Sequence, residues 1–286
     1  MTIAIIGTGN MGGAIMRGLI KSGTCRPEEI ICTAKSVATL DKIREYDARI
    51  GVTLDNAEAV AQADIVMLAV KPWLVETVIE EIRPSLKLDK QIIVSVAAGV
   101  TLEELVRYVE PEYNIVEMNR ICAEVEGKEP ILPEGFCEPV IFRAIPNTAV
   151  EALCGVTLIA QHGATEEQVE QIRLLFTALG YALIVGENLI PAGTALASCG
   201  IAFAMRYIRA AMEGGVEMGF RPEEAARIVE HTVKGAATLL LESGAHPEAE
   251  IDKVTTAGGI TIKGLNAMER SGFTAAVIDG LKATNV

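Results

Sequence analysis

The sequence predicts an α/β protein in which an N-terminal Rossmann-type, doubly wound parallel sheet is followed by an all-α C-terminal domain. Over the first 186 residues, short apolar runs alternate with helix-patterned segments, which is the pattern of repeated βαβ units. After Gly186 the strand-like runs cease, and Ala-, Gly- and Met-rich sequence of helical spacing takes their place. We therefore expect a sheet domain over residues 1–186 and a helical domain over residues 187–286.

The predicted strands mostly lack polar alternation, as strands buried on both faces of a parallel sheet should. Between them, Thr101-Leu102-Glu103-Glu104 and Thr165-Glu166-Glu167-Gln168 are typical of capping boxes at helix N-termini. The seven apolar runs are Ile3–Ile6, Ile30–Cys32, Ile65–Val70, Ile92–Val96, Ile115–Val116, Val156–Ala160 and Ala182–Val185.

Residues 118–140 interrupt this alternation. The segment contains Gly127, Pro130, Pro133 and Gly135 and is rich in glutamate, a composition typical of loops. We expect an acidic loop or flap inserted into the sheet domain.

The charge balance limits the classes of partner. Asp and Glu total 38 against 25 Lys and Arg, a net charge of −13, which argues against nucleic acid or an anionic membrane as the main partner. The six cysteines form no CxxC pair and no metal-ligand pattern, and only three histidines could join them. We expect neither a metal site nor a disulfide scaffold.

No basic region precedes the first apolar residues, so no signal peptide is predicted and the cytoplasm is the expected location. The longest uncharged stretch, residues 188–205, contains Pro191 and two glycines, which favours a buried helix over a membrane span. We expect that this apolar helix packs around Ala195, Ala202, Phe203 and Ile208 against a second copy of the chain. The alternative is a monomer that folds its helices onto its own sheet.

The clearest motif is Gly7-Thr8-Gly9-Asn10-Met11-Gly12, a GxGxxG pattern that follows the strand ending at Ile6 and opens a helix. The first glycine allows the turn and the second allows close approach of a pyrophosphate, which the helix N-terminus then holds. This context predicts a dinucleotide-binding loop. The alternative is a tight turn without a ligand.

An NAD site usually has an acid at the end of the second strand, where it binds the ribose hydroxyls. Here that place is Thr33-Ala34-Lys35-Ser36, and no acid occurs between Glu29 and Asp41. Lys35 and the neighbouring hydroxyls suit a 2′-phosphate, so the composition favours NADPH, with NADH as the alternative. The competing interpretation is that Lys35 is a solvated lysine.

The next two strand ends complete the predicted cleft. Ala69-Val70-Lys71-Pro72 ends one strand, and Ser95-Val96-Ala97-Ala98-Gly99 ends the other. Ligands of open α/β sheets bind beyond the carboxyl ends of strands, and small residues let backbone approach a flat ring. We expect the nicotinamide beside Ala69–Pro72, Ala97 and Gly99.

In the helical domain, residues 254–261 place three threonine hydroxyls around two glycines at a helix start. Free N–H groups and hydroxyls at such a start form an anion site without a full charge. This segment is a candidate for a small carboxylate, and a capped helix with a flexible entry is the alternative.

Taken together, these motifs resemble the pyrroline-5-carboxylate reductases along the whole chain. The opening Ile6–Gly12, the segment Val70-Lys71-Pro72 and the strand end Ala98-Gly99-Val100 resemble loops that the family shares with neighbouring reductases. The segment Thr255–Glu269 resembles the family signature along its length, and this motif is the specific one.

The resemblance implies a reductase that uses NADPH to convert a small imino acid, 1-pyrroline-5-carboxylate, to L-proline. It implies a homodimer through interlocked helical domains, and higher oligomers in some members. Asn56 would lie near the adenosine, Asn147 near the nicotinamide, and the Thr261 hydroxyl at the substrate's ring nitrogen. Thr256, Gly258 and Gly259 would hold the substrate carboxylate.

This chain departs from the family in residues 197–202 and in the acidic insert, and two alternatives stay open. A β-hydroxyacid dehydrogenase would share the fold and need an acid such as Lys234 for its alkoxide. A catalytically silent cofactor-binding protein would keep the cleft without the reaction.

Overall fold

A computed structural model describes residues 1–133 and 136–284, and its fold class is the predicted one. Eight strands form one sheet in the order β3-β2-β1-β4-β5-β6-β7-β8, and every pair is parallel except β6 with β7. The strands are β1 (Ile3–Ile6), β2 (Ile30–Thr33), β3 (Gly51–Thr53), β4 (Ile65–Leu68), β5 (Ile92–Ser95), β6 (Val140–Pro146), β7 (Gly155–His162) and β8 (Gly180–Ile184).

Thirteen α-helices lie within the described residues. They are α1 (Asn10–Lys21), α2 (Val37–Tyr46), α3 (Asn56–Ala61), α4 (Val75–Ile82), α5 (Leu102–Val109), α6 (Tyr113–Glu126), α7 (Glu166–Thr177), α8 (Ile190–Gly193), α9 (Gly200–Glu217), α10 (Pro222–Ser243), α11 (Pro247–Lys253), α12 (Ile260–Arg270) and α13 (Phe273–Ala283). A π-helical turn, Thr194–Cys199, joins α8 to α9.

Successive residues of β1 belong to two hydrophobic cores, one on each face of the sheet. Ile3 and Ile5 pack in the core that contains Ile15 and Leu19 of α1. Ala4 and Ile6 pack in the opposite core, which includes residues of α3, α4 and α5. Because both faces are covered, β1 is apolar at every position, as the sequence indicated.

The expected strand at Ile115–Val116 is wrong, because both residues lie in α6. Val116 is buried while Ile115 is 59% exposed, as neighbours on a helix surface are. Two apolar residues are too few to show a period, so the helix and strand patterns could not be told apart.

Strands β3 and β6 were not predicted from the sequence. In β6, Arg143 interrupts the apolar run although it is buried, and its Nη1 donates to Oε1 of Glu187 at 2.8 Å. The same carboxylate oxygen accepts the backbone N–H of Leu102 at 2.6 Å. The arginine can occupy a buried strand because a residue far along the chain neutralises it.

The acidic insert is not a loop over its first half, because residues 118–126 belong to α6. Gly127, in the left-handed conformation with φ 64°, ends this helix, and Lys128 N–H then bonds the carbonyl of Ala123 at 2.8 Å. Glycine at this position is a helix stop as much as a loop signal. Residues 128–133 and 136–139 are irregular, and the prediction for Gly135 lies outside the described residues.

Polar contacts fasten the insert to the sheet. Arg120 Nη2 donates to Oε2 of Glu138 at 2.7 Å, and Nε2 of His162 lies 2.8 Å from Oε1 of the same carboxylate. The ring of Tyr113 meets His162 edge-on, with centroids 5.3 Å apart. Burial disfavours the charged Glu138, but the hydrogen bonds from Arg120, Tyr113 and His162 outweigh it and lower the pKa of this carboxyl.

The chain forms two compact units, Met1–Ser198 and Cys199–Val286. In the second unit, α9 and α10 pack on each other where Gly215 lies against Ala225. Among the described residues of this unit, Gly215 and Ala225 are the two that are buried. Large apolar side chains elsewhere in the unit are exposed, such as Leu241 and Ile260 at 86% each. This unit has almost no core of its own within one chain.

One helical segment, Glu187–Glu217, is long and apolar enough to cross a membrane by length and composition. Only 17% of its most apolar stretch of 18 residues is buried. Within it, Phe203 and Ala202 are exposed, whereas Ala195 is already buried in the single chain. Ala195 therefore does not belong to the exposed face that was expected to meet a second copy.

Candidate active site

A cavity of about 530 Å³ opens at the carboxyl ends of the central strands in the first unit. It gathers residues from the ends of β1, β2, β4 and β5, which were predicted separately from four places in the sequence. The lining consists of Gly7, Thr8, Gly9, Asn10, Met11, Ala34, Lys35, Thr39, Ala69, Val70, Lys71, Pro72, Leu74, Val96, Ala97 and Ala98.

The three glycines of the first turn serve different needs. Gly7 has φ +93°, and a Cβ there would lie 2.7 Å from a methyl group of Val70. A Cβ at Gly12 would lie 2.5 Å from the carbonyl oxygen of Gly7, so helix α1 could not approach the turn. At Gly9 a Cβ would meet nothing within 4 Å, and the space over this residue is open to a ligand.

Helix α1 begins at this turn in a form suited to an anion. No side chain caps its N-terminus, and its first turn contains no acidic residue. The uncapped N–H groups and the helix dipole therefore face the cavity side of Gly9 without a competing carboxylate.

The end of β2 carries the expected polar residues, with one correction. Thr33 is buried, and its Oγ1 accepts the N–H of Gly7 at 3.2 Å while its carbonyl accepts the Thr8 hydroxyl at 3.0 Å. Its hydroxyl thus fastens the glycine turn to β2 and does not reach a 2′-phosphate. Lys35 lines the cavity and is exposed.

Thr39 was missed and also lines the cavity. Its hydroxyl lies 3.0 Å from Oγ of Ser36, which caps helix α2 by accepting the Thr39 N–H at 3.3 Å. The capping spacing of Ser36 and Thr39 could have identified it. Together with Lys35, these hydroxyls form a polar corner at the start of α2.

Ser36 does not line the cavity, and neither do five other residues that were predicted to bind the cofactor. Ile6 and Gly12 are buried beneath the turn, and Gly99, with φ +86°, lies just beyond Ala98. Asn56 at the start of α3 donates its amide to both carboxylate oxygens of Glu81 at 3.2 Å.

Asn147, the fifth, is engaged by the protein itself. Its Oδ1 accepts the N–H groups of Ala149 and Val156 at 3.1 and 3.3 Å, and its Nδ2 donates to the carbonyl of Ala197 at 3.2 Å. The side chain is buried and shapes the turn after β6.

The glycine-threonine segment lies in the second unit, just before α12. Gly258 has φ +71°, and the Gly259 N–H bonds the carbonyl of Thr256 at 2.9 Å, which closes a tight turn. Gly259 is the N-cap of α12, and no side chain caps this helix. Thr256, Gly258 and Thr261 are exposed, so N–H groups and hydroxyls are open to an anion.

Thr261 is the second residue of α12, and its hydroxyl makes no hydrogen bond to the protein within the part of the chain that the structure describes. Thr255, in contrast, donates its hydroxyl to the carbonyl of Ile251 at 2.7 Å. Across residues 1–133 and 136–284, no three His, Cys, Asp or Glu side chains converge in a way that could hold a metal ion.

Comparison with known proteins covers both parts of the chain. Residues 187–286 match the family described as pyrroline-5-carboxylate reductase dimerisation, and residues 2–99 match the family described as NADP oxidoreductase coenzyme F420-dependent. Among curated proteins, pyrroline-5-carboxylate reductase 1 of Dictyostelium discoideum is 35% identical over 98% of this chain, which spans 48% of that relative's length.

Two further relatives match over most of both chains. Pyrroline-5-carboxylate reductase 2 of the same organism is 34% identical, with 98% of this chain and 89% of the relative covered. The structure of a pyrroline-5-carboxylate reductase from Coxiella burnetii has a TM-score of 0.83 and 28% identity, with 99% of this chain and 96% of that chain covered. The chain therefore belongs to the pyrroline-5-carboxylate reductase family of NAD(P)-dependent oxidoreductases.

Proposed function

We propose that this protein reduces the C=N bond of 1-pyrroline-5-carboxylate to give L-proline, with NADPH as the hydride donor. The observation that carries the proposal is the presence, in one chain, of an open glycine-rich cleft and of a Gly258-Gly259 turn beside which Gly258 and Thr261 are exposed. The curated relatives with this family name, matched over 98% of the chain, support the same substrate.

The cleft fits the cofactor. Open space over Gly9 and the uncapped start of α1 suit a pyrophosphate, while Ala97 and Ala98 leave room for a flat ring. Lys35, with Ser36 and Thr39, would bind a 2′-phosphate, since no carboxylate lies between Glu29 and Asp41 to repel it. When bound, the dinucleotide supplies the hydride.

The second unit would hold the substrate. The Thr256 hydroxyl and the Gly258 N–H would bind its carboxylate at the turn that Gly259 closes. The free hydroxyl of Thr261 would accept a hydrogen bond from the protonated ring nitrogen. In the reaction, one hydride adds to the imine carbon and the π electrons move to nitrogen, which carries a proton already. A protonated imine is a strong electrophile, so the protein needs to orient it and needs no strong acid.

The second unit supports a homodimer. Its family match describes dimerisation, and its exposed apolar side chains require cover that the single chain does not provide. Helix α9 (Gly200–Glu217), the exposed part of the apolar segment, is then an interface helix in a cytoplasmic enzyme. We place the functional division at residue 186, where the dimerisation match begins one residue later.

Neither alternative gains support. Thr255–Glu269 lies within the dimerisation match, and its motif differs from that of the β-hydroxyacid dehydrogenases, the alternative that would use Lys234 as its acid. A catalytically silent protein would have no need for the free hydroxyl of Thr261. NADPH oxidation by the purified protein should be fastest with 1-pyrroline-5-carboxylate in a panel of cyclic imino acids and keto acids. Faster oxidation with a keto acid, or none with any imine, would contradict the proposal.

The glycine turn gives a paired prediction. Gly12→Ala should lower the free energy of unfolding by about 1–3 kcal/mol, since its Cβ would overlap the Gly7 carbonyl. Gly9→Ala should melt close to the unchanged protein, because its Cβ meets no protein atom within 4 Å, yet it should bind NADPH at least about tenfold more weakly. Melting curves and NADPH titration of both variants check this, and normal NADPH affinity of Gly9→Ala would count against the cleft.

Lys35→Ala should weaken NADPH binding about tenfold, because it removes a charge-assisted contact to the 2′-phosphate. NADH, which lacks that phosphate, should bind unchanged. Lys42→Ala is the matched control, since Lys42 is exposed on α2, the helix that follows Lys35, and does not line the cavity. Equal losses for both cofactors would show that Lys35 does not contact the 2′-phosphate.

Thr261→Ala should lower kcat/KM about ten- to a hundredfold, as expected for one hydrogen bond that matters in the transition state. Thr261→Ser keeps the hydroxyl and should retain most activity. Because Gly259 and not Thr261 is the N-cap, neither change should shift the melting temperature much. An alanine variant that melts early and turns over normally would mean a structural role.

A further inference from the structure

Helix α6 of the insert has two apolar faces, and only one of them is covered. On its inner face, Val116 and Ala123 are buried. Five apolar residues lie on the outer face, within about 120° of arc at 100° per residue. They are Ile115 at 59% exposure, Met118 at 61%, Ile121 at 54%, Val125 at 84%, and the exposed Cys122.

This outer face is held in place and is not a loosely attached helix. Arg120 is bonded to Glu138 and, at 2.8 Å, to Glu117. Asn119 donates to the carbonyl of Ile131 at 3.0 Å, so the returning chain runs beside the helix. Ile131 is itself 82% exposed and adds to the apolar surface.

So many large apolar side chains on one face exceed the scattered exposure that is normal for a protein surface. Their placement also differs from that of the dimerisation match, which begins at residue 187. The outer face is therefore a candidate contact surface separate from the family's dimer domain.

The charges around the face select the partner. Glu112, Glu124 and Glu129 are exposed beside it and form no ion pair with the described residues. The nearby cations are already used, since Arg120 binds Glu117 and Glu138, and Lys128 binds Glu126 at 2.7 Å.

This acidic border argues against two of the three obvious occupants. A second copy of the chain, with net charge −13, would bring like charges together at the border. An anionic lipid surface would be repelled for the same reason. A partner with an apolar helix face and flanking Lys or Arg satisfies both the stripe and its border.

We propose that the outer face of α6 is a docking surface for another protein, which contributes an amphipathic helix with an apolar stripe flanked by basic residues. The contact would be a helix-on-helix interaction of the kind read through i, i+3, i+4 and i+7 anchors. Met118, Cys122 and Val125 have this spacing on α6. The basic border would make the association weaken with salt.

A synthetic probe tests the surface without a known partner. We would use a fluorescent 18-residue amphipathic peptide with a leucine face flanked by lysines, and a second peptide with glutamates in place of the lysines. The lysine peptide should bind the full-length protein, and its affinity should fall with added salt. The glutamate peptide should not bind. Equal binding of the two peptides, or none of the lysine peptide, would overturn the proposal.

Val125→Glu separates the apolar stripe from general charge attraction. The substitution removes an apolar anchor and adds a negative charge. If the apolar stripe carries the contact, the affinity for the lysine peptide should fall at least tenfold; if charge attraction alone carries it, the affinity should rise. Leu174→Glu is the matched control, because Leu174 is 52% exposed on α7 and the same charge there should not weaken binding. Binding to Val125→Glu as tight as to the unchanged protein would refute the docking surface.

The exposed cysteines provide a positional readout. Bound lysine peptide should slow alkylation of Cys122 by iodoacetamide and leave Cys154 unaffected, since both thiols are exposed and only Cys122 lies in the stripe. If Cys122 is already unreactive in the free protein while Cys154 reacts, a second subunit covers the face and the proposal is wrong. Unchanged NADPH oxidation by Val125→Glu would show that the dimer and its site are intact, independently of docking.

Discussion

The parallel, in-register pairing of β1 with β2 and with β4 is the constraint on which the cleft depends. Ile6 pairs with Thr33 on one side and with Leu68 on the other, so three strands end at the same level. The turns that follow must share one edge of the sheet. Crowding there excludes a Cβ at Gly7 and Gly12, and it leaves backbone N–H groups and small side chains to form the lining.

This constraint explains why the cleft was predictable. Strand ends are visible as apolar runs, and the rule that ligands bind beyond the carboxyl ends of parallel strands turns four sequence positions into one place. Thr39 was not predicted to line the cleft, because its position depends on the pitch of α2 rather than on a strand end. The burial of Thr33 was not predicted, because the sequence around a threonine at a strand end does not show whether its hydroxyl binds a ligand or the N–H of Gly7.

Where local pattern and long-range contact disagree, the long-range contact decides the structure. Arg143 looks like an interruption in the sequence, yet Glu187 neutralises it inside β6. Ile115 and Val116 look like a strand, yet Tyr113, Arg120 and Glu138 secure a helix. The role of Asn147 was likewise not legible from composition, because its amide is occupied by backbone groups from three separate segments.

The contrast between a well-packed first unit and a second unit with almost no core of its own bears on how the protein is made. During synthesis the N-terminal unit can complete both faces of its sheet once α8, which contributes Ile190 to one core, has left the ribosome, since domains fold as units in chain order. The C-terminal helices emerge last, and they leave Leu241 and Ile260 exposed within the single chain, so the proposed dimer would supply the missing cover. If the protein assembles as the proposed dimer, folding of this unit depends on the concentration of chains, and at low concentration more subunits expose apolar surface of the kind that chaperones bind.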